Sequence, residues 1–79
     1  MEARIRSAAD LGDVIRRIRI REGLTQKQLA ELLGSTQRYV SELETGKPKL
    51  ADDGYFTVLA RLGITLTATV DERPANDDG

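Results

Sequence analysis

The six residues from Gln37 to Glu42, QRYVSE, carry side chains that can recognise the edges of nucleic-acid bases. If the segment is helical, Val40 points inward together with Leu43, and the polar positions between them point to solvent. Those positions are Gln37, Arg38, Ser41 and Glu42. Arginine fits guanine, glutamine fits adenine, serine takes either role, and glutamate can accept from cytosine or repel a phosphate. The segment therefore predicts a surface that reads double-stranded DNA.

Enzymatic and metal chemistry find little support in the composition. The chain has no His and no Cys, which removes the commonest general base, the usual metal ligand, and thiolate and disulfide chemistry. An enzyme would have to use carboxylate pairs such as Asp52–Asp53 or Glu42–Glu44, and neither is flanked by an oxyanion or nucleotide-binding motif. We therefore expect no catalytic residue, no metal site and no cofactor.

Charge is distributed unevenly along a chain whose formal net charge is −1. Residues 1–50 contain ten Lys or Arg and seven Asp or Glu, a balance of +3, whereas residues 51–79 contain two and six, a balance of −4. The basic part contains the candidate base-reading segment. A local cationic face can bind a polyanion even when the whole chain is slightly acidic.

A length of 79 residues predicts one domain with a small core, which gains stability from a partner subunit. No apolar run approaches the roughly 20 residues that a membrane span needs. The N-terminal residues lack the apolar segment of a secretion signal. We expect a soluble, intracellular, unprocessed protein with no membrane partner.

The first helix is expected to follow Ser7, which can cap it, with Asp10 as the acid of a capping box. Gly23 is expected to end this helix in a left-handed conformation. The apolar stripe of the helix has helical spacing and consists of Leu11, Val14, Ile15 and Ile18.

A second, short helix is expected between Thr25 and Gly34. Thr25 can cap it, and Gln28 lies at the spacing of a capping-box partner. The predicted apolar face of this helix consists of Leu29, Leu32 and Leu33.

A tight corner is predicted between the second helix and a third helix that begins at Ser35 or Thr36. Gly34 supplies the positive φ that such a corner needs. Ala30 is small where the two helices nearly touch, and Val40 presses back on the second helix. This spacing matches the requirements of a DNA-binding helix-turn-helix.

The third helix is expected to end at Gly46 and Pro48, and a fourth to run from Asp52 or Asp53 to Gly63. The predicted stripe of the fourth helix consists of Phe56, Leu59, Ala60 and Leu62.

The period of the pattern changes to two after Gly63. ITLTATV, residues 64–70, alternates apolar residues with Thr and predicts a half-buried strand. Its apolar face consists of Ile64, Leu66, Ala68 and Val70. Because the chain has no second strand pattern, the same strand of a second copy is the expected partner, which gives a homodimer.

IRRIRIREGLTQKQLAELLGSTQRYVSELETGK resembles the helix-turn-helix of phage-repressor-like regulators, also called the Xre family. The four-helix outline and the alternating strand are similar to those of the antitoxin partners of HipA-type kinase toxins. The resemblance covers residues 7–70 and implies a mainly α, lambda-repressor-like domain of four to five helices. The C-terminal strand would replace the fifth helix of phage repressors and pair across a dimer.

The resemblance implies a role for each matching position. The expected base contacts are Thr36, Gln37, Arg38, Ser41 and Glu42. The expected phosphate contacts are Gln26, Lys27, Tyr39 and Lys47, where Tyr39 could equally pack beneath the DNA-binding surface. Arg19 and Glu44 match a structural ion pair that ties the first helix to the end of the third.

The expected organisation is a flexible N-terminus at 1–6, the DNA-binding domain at 7–63, the dimerisation strand at 64–70 and a disordered acidic tail at 71–79. The leading functional hypothesis is a repressor that binds a palindromic operator and is the antitoxin of a HipA-type kinase, regulating its own operon. The alternative is a stand-alone Xre-family repressor. A protein-interaction module that neutralises a toxin is a compatible second class, and an enzyme is a distant third.

Overall fold

Four α-helices in a computed structural model account for most of residues 1–72, which are the residues that the structure describes. They are α1 (Ala8–Arg21), α2 (Gln26–Leu33), α3 (Gln37–Glu44) and α4 (Asp53–Arg61). The prediction of a mainly helical domain with four helices is confirmed. Most of the predicted acidic tail, residues 73–79, lies outside the described residues.

Each helix begins at a side-chain cap, because the first N–H groups of a helix have no partner within it. The caps are Ser7, Thr25, Thr36 and Asp52, which accept from Asp10, Gln28, Tyr39 and Tyr55. At Ser7 the predicted capping box is incomplete. The Asp10 carboxylate accepts from the N–H of Arg6 at 2.8 Å, one residue before the cap.

The core lies where α1, α2 and α3 meet, and α4 contributes Leu59 to it. Ile15, Val40 and Leu59 are the most completely buried large side chains. The remaining members of the cluster are Leu11, Leu29, Ala30 and Leu43. Each comes from the predicted inward face of its helix, so hydrophobic periodicity located the core correctly.

Three apolar residues predicted on inward faces are exposed instead. Leu32 retains 61% of its accessible surface and Phe56 retains 46%, and Ala60 is also exposed. Leu32 points into solvent because α2 is only two turns long and packs on the core along one side, so only the residues on that side are buried. In α4 that side contains Leu59, and the residues that accompany it are Tyr55, Val58 and Leu62.

The crossing of α1 over the end of α3 depends on the absence of a side chain at Gly12. A Cβ at this position would lie 2.2 Å from the carbonyl oxygen of Leu43 and 2.9 Å from that of Glu44. Gly46, with φ of 81°, meets α1 from the other side, where a Cβ would lie 2.6 Å from Cα of Ala9. These two glycines let the backbones of α1 and α3 approach more closely than any side chain would allow.

Residues 64–70 follow α4 as a chain segment without regular secondary structure within the described residues. Ile64 is half-buried against the core, and its N–H donates to the carbonyl of Leu59 at 2.9 Å. Leu66 and Val70 are 46% and 78% exposed. The strand was expected to form with a second copy of the chain, and it stays a prediction.

Replacing Gly12 with Ala should destabilise the fold, because the added methyl group would collide with two carbonyl oxygens of α3. Overpacking of this kind costs about 1–3 kcal/mol in the free energy of unfolding. Gly54→Ala is the matched control, since its Cβ would meet only Asp52 at an ordinary 3.5 Å within the first turn of α4. Thermal melts should show a lower midpoint for Gly12→Ala alone. A Gly12→Ala midpoint equal to the wild type would contradict the close crossing.

Candidate nucleic-acid interface

The corner between α2 and α3 has the geometry that the sequence predicts. Thr25 and Gln28 complete a reciprocal capping box, with bonds of 3.0 and 2.8 Å at the start of α2. Gly34 ends α2 with φ of 66°, and the N–H of Ser35 donates to the carbonyl of Ala30 at 2.8 Å. Three residues, 34–36, therefore separate the end of α2 from the start of α3.

Arg19 and Glu44 form a two-pronged ion pair that joins α1 to the last residue of α3. Arg19 Nε donates to Glu44 Oε2 at 2.5 Å, and Nη2 donates to Oε1 at 3.0 Å. The third guanidinium nitrogen, Nη1, donates to the carbonyl of Leu24 at 2.8 Å. The hydrogen bonds that Arg19 donates to the Glu44 carboxylate raise the pKa of Arg19, so its charge is permanent. Only 3% of the Glu44 side chain is exposed, so the carboxylate depends on these donors.

Gln26, predicted to contact phosphate, extends this pair to the start of α2. Its side-chain nitrogen donates to Glu44 Oε1 at 3.2 Å, so the orientation of the amide is fixed by the Arg19–Glu44 pair. The N-terminus of α2 carries unpaired helix N–H groups that suit an anion. One buried carboxylate therefore holds the start of α2 and the end of α3 in a single arrangement.

The first turn of α3 projects polar side chains into solvent. Gln37 and Arg38 are exposed, and the Arg38 side chain retains 84% of its surface. Thr36 is also exposed, and its hydroxyl oxygen accepts from the N–H of Tyr39 at 3.1 Å, which leaves its proton available to a ligand. Ser41 lies one turn further on and is half-buried.

Glu42 lies beside this surface with its carboxylate surrounded by three cations. Arg38 and Lys47 each donate to Oε2 at 3.3 Å, and Lys49 donates to Oε1. These hydrogen bonds, the one from Lys49 above all, lower the pKa of Glu42 to about 2. The carboxylate that sequence analysis assigned to base contact is thus already bound by the protein's own basic groups.

Tyr39 packs on the core rather than projecting from α3. Burial raises the pKa of its phenol, and the Lys49 ammonium lies 5.0 Å from the centre of its ring. Lys27 and Lys47, the remaining predicted phosphate contacts, are both exposed. The structure therefore places the predicted base contacts on one side of α3. The predicted phosphate contacts lie on α2, on α3 and in the loop that follows α3.

This arrangement can present donors and acceptors to a rigid, charged partner without reorganising its own backbone. Val40 and Leu43 are buried on one side of α3, and Gln37 and Arg38 are exposed on the other. A helix that projects its N-terminal side chains in this way can enter the major groove of DNA.

The comparison with known families agrees with this geometry. The model of the helix-turn-helix domain family matches residues 10–75 of the chain. The chain belongs to the helix-turn-helix family. It is a DNA-binding transcriptional regulator of the Xre-like type, as the sequence resemblance predicted.

Individual relatives support the same conclusion. An uncharacterized HTH-type transcriptional regulator, y4mF, of Sinorhizobium fredii is 35% identical over 66 residues, which are 84% of this chain and 87% of that protein. HipB in a complex with an O2 20mer is similar with a TM-score of 0.69 and 25% identity, over 92% of this chain and all of that one. HipB in the HipA-HipB-O2-O3 complex gives a TM-score of 0.68 at 25% identity, over 91% of this chain and all of that one.

A restriction-modification controller protein, C.AhdI of Aeromonas hydrophila, is also similar. Its TM-score is 0.61 at 28% identity, over 73% of this chain and 84% of that one. The helix-turn-helix architecture is therefore shared with regulators of more than one biological system. Among residues 1–72, no helix is long and apolar enough to cross a membrane.

Sequence analysis missed two residues that shape this site. Gly12 sits in the apolar stripe of α1 between Leu11 and Val14, where only the close approach to α3 reveals its role. Lys49 lies in the loop after α3, and its contacts with Glu42 and Tyr39 depend on the path of that loop. In the sequence, the only indication that two cations contact α3 from the following loop is the position of Lys47 and Lys49 shortly after the helix.

Arg19→Ala should reduce the free energy of unfolding more than it affects the contacts with DNA. The substitution leaves Glu44 nearly buried without its main partner, and breaking such a pair costs about 3–5 kcal/mol. Arg17→Ala is the control, because Arg17 pairs with Asp13 at 2.8 Å on an exposed face of α1 and such pairs contribute roughly 0–1 kcal/mol. Melts without DNA measure both. An unchanged midpoint for Arg19→Ala, together with weaker DNA binding, would reverse the assignment.

Proposed function

We propose that this protein represses transcription by binding a palindromic operator as a homodimer, with α3 in the major groove of each half-site. The observation that carries the proposal is that α3 has one buried side and one side exposed to solvent. Val40 and Leu43 fix the helix in the core, whereas Gln37 and Arg38 project from its first turn into solvent. Side chains on the first turn of such a helix are the ones that reach base edges.

The base contacts follow from the chemistry of the exposed side chains. Arg38 would donate two hydrogen bonds to a guanine and Gln37 would pair with an adenine. Thr36 and Ser41 would donate from their hydroxyls to a base or a neighbouring phosphate. Glu42 differs from these residues because three cations already hold its carboxylate.

Phosphate contacts would come from both ends of the site. Gln26 and Lys27 lie in the first turn of α2, where helix N–H groups favour an anion. Lys47 would act from the loop after α3. Tyr39 would contribute its hydroxyl at the edge of the surface while its ring stays packed on the core.

Dimerisation would cover Leu66 and Val70, which the single chain leaves 46% and 78% exposed. An open cleft of about 940 Å³ lies between the N-terminal segment and the segment after α4, with Leu11, Val14 and Ile18 on one wall. Leu66 lines its other side and is half exposed. The apolar face of the predicted strand consists of Ile64, Leu66, Ala68 and Val70. Antiparallel pairing of two such strands about a two-fold axis would cover this face and satisfy the backbone groups of residues 64–70.

Two biological settings fit this regulator. The likeness to HipB in the HipA-HipB-O2-O3 complex supports an antitoxin that binds a HipA-type kinase toxin and represses its own operon. The likeness to C.AhdI, a restriction-modification controller protein, supports the alternative, a repressor without a toxin partner. A HipA-type kinase gene beside this one, whose product co-purifies with the protein, would decide for the antitoxin. A genome without such a neighbour would decide for the stand-alone repressor.

Selection of bound sites from random duplex DNA tests the proposed function directly. A dimer with two copies of α3 should enrich a two-fold symmetric sequence whose half-sites are roughly 34 Å apart, one turn of DNA. Failure to enrich any sequence above the starting pool would contradict sequence-specific binding.

Arg38→Ala should weaken binding to the selected operator by about 1–3 kcal/mol and relax base preference at one position in each half-site. Lys27→Ala is the comparison, because loss of a phosphate contact should weaken selected and scrambled duplexes alike. Fluorescence titrations of both variants on both duplexes measure the effect. If Arg38→Ala loses equal affinity on the two duplexes, the side chain contacts phosphate and reads no base.

Leu66→Pro should abolish the dimer, because proline removes one hydrogen bond from the proposed strand pairing. Helical content should be largely kept, and operator affinity should fall steeply because each subunit then binds a half-site alone. Glu72→Pro, just beyond the predicted strand, is the control and should remain dimeric. Analytical ultracentrifugation gives the oligomeric state. A Leu66→Pro dimer would mean that helices hold the subunits together and that residues 64–70 serve another partner.

A further inference from the structure

The Glu42 carboxylate gathers three basic side chains beside the proposed DNA-reading surface. Arg38 reaches it from one turn earlier on α3, at 3.3 Å. Lys47 and Lys49 reach it from the loop after α3, Lys47 at 3.3 Å to the same oxygen as Arg38 and Lys49 to the other. Three cations converging on one oxyanion form the arrangement that would otherwise bind a phosphate group.

The three contacts differ in how readily they can be exchanged. Lys49 is held most firmly, because 20% of its side chain is exposed and its ammonium also lies over the ring of Tyr39. Arg38 and Lys47 retain 84% and 62% of their side-chain surface. Exposed ion pairs contribute little free energy, so these two side chains can leave Glu42 for a better partner.

We propose that Glu42 determines specificity by occupying Arg38, Lys47 and Lys49 until base contacts compensate for their release. The inference rests on the proposed function, because it concerns the same DNA-binding surface. Binding to random DNA depends almost entirely on cations that meet phosphates. Each cation engaged by Glu42 is therefore withdrawn from that binding, whereas an operator offers Arg38 a guanine in exchange.

This role differs from a base contact by Glu42 itself. A carboxylate that read cytosine would accept a hydrogen bond from the base, whereas both Glu42 oxygens accept from the protein's own cations. A carboxylate that neutralises the surface lowers the affinity for every DNA sequence by the same amount. Only a sequence that makes base contacts with the released side chains regains that affinity. Selectivity then arises by weakening the wrong complexes more than the right one.

Glu42→Gln is the central test, because it keeps the size of the side chain and removes its charge. Release of one cation to a phosphate should steepen the slope of log K against log salt by about 0.9. If Glu42→Gln and the wild type bind equally at about 1 M salt, this difference in slope makes Glu42→Gln bind a scrambled 20-base-pair duplex roughly eightfold more tightly than the wild type at about 0.1 M salt. Affinity for the selected operator should rise less, so the ratio of the two affinities should fall.

Glu31→Gln is the matched control. It makes the same change of charge at an exposed position on α2 that forms no ion pair with any other residue of the described range 1–72. The control should leave the salt slope and the ratio of affinities unchanged. If Glu31→Gln tightens scrambled binding as much as Glu42→Gln does, the effect is one of net charge and the inference fails.

A double-mutant cycle separates occupancy of the cations from direct repulsion of phosphate. In an Arg38→Met/Lys47→Met/Lys49→Met background, Glu42 has no cation left to release, and Glu42→Gln should tighten scrambled binding by less than about twofold. An undiminished gain in that background would show that Glu42 acts by repulsion and would overturn the inference. Circular dichroism at the assay temperature must show equal helical content in all variants.

Failure of the inference and failure of the proposed function give different results. If the wild type binds the selected operator better than the scrambled duplex, but Glu42→Gln leaves both affinities and salt slopes unchanged, only the inference is wrong. If the wild type binds both duplexes equally, the proposed sequence-specific function is wrong, and the role of Glu42 in specificity falls with it.

Discussion

The Arg19–Glu44 ion pair is the contact on which the DNA-binding arrangement depends. Glu44 is the last residue of α3, its side chain is almost fully buried, and one guanidinium binds both of its oxygens. The same guanidinium holds the carbonyl of Leu24 before α2, and the same carboxylate receives Gln26 from the start of α2. Three helices thus share one charged contact. A buried pair of this kind is weak evidence for net stability. Its hydrogen bonds to groups on or beside all three helices define how these helices meet.

An acidic chain can bind DNA because the relevant charges are few and local. The balance of +3 in residues 1–50 includes Glu42, whose carboxylate binds three of the ten cations in that range. The surface also carries the exposed Lys27, the hydrogen-bonding groups on the first turn of α3 and two helix termini. Such a surface favours partners that match its geometry over partners that merely carry negative charge.

Local rules predicted the caps, the core and the corner, because each depends on residues a few positions apart. Thr25 with Gln28, the left-handed Gly34 and the buried Val40 are all of this kind. The resemblance to a known family supplied the pairing of Arg19 with Glu44, which are 25 residues apart and which no local pattern connects. The role of Gly12, the exposure of Leu32 and Phe56, and the return of Lys49 to Glu42 depend on how elements cross in space. The partner of residues 64–70 depends on a second chain and was accessible only as a prediction.

A structure of the dimer bound to its selected operator is the most direct test of this account. The account predicts α3 in the major groove, with Arg38 and Gln37 within about 2.7–3.2 Å of base edges, which is hydrogen-bond range. It also predicts that the Arg19–Glu44 pair stays intact while Arg38 has left Glu42. A complex in which another surface enters the groove, or in which the Arg19–Glu44 pair is broken, would contradict it.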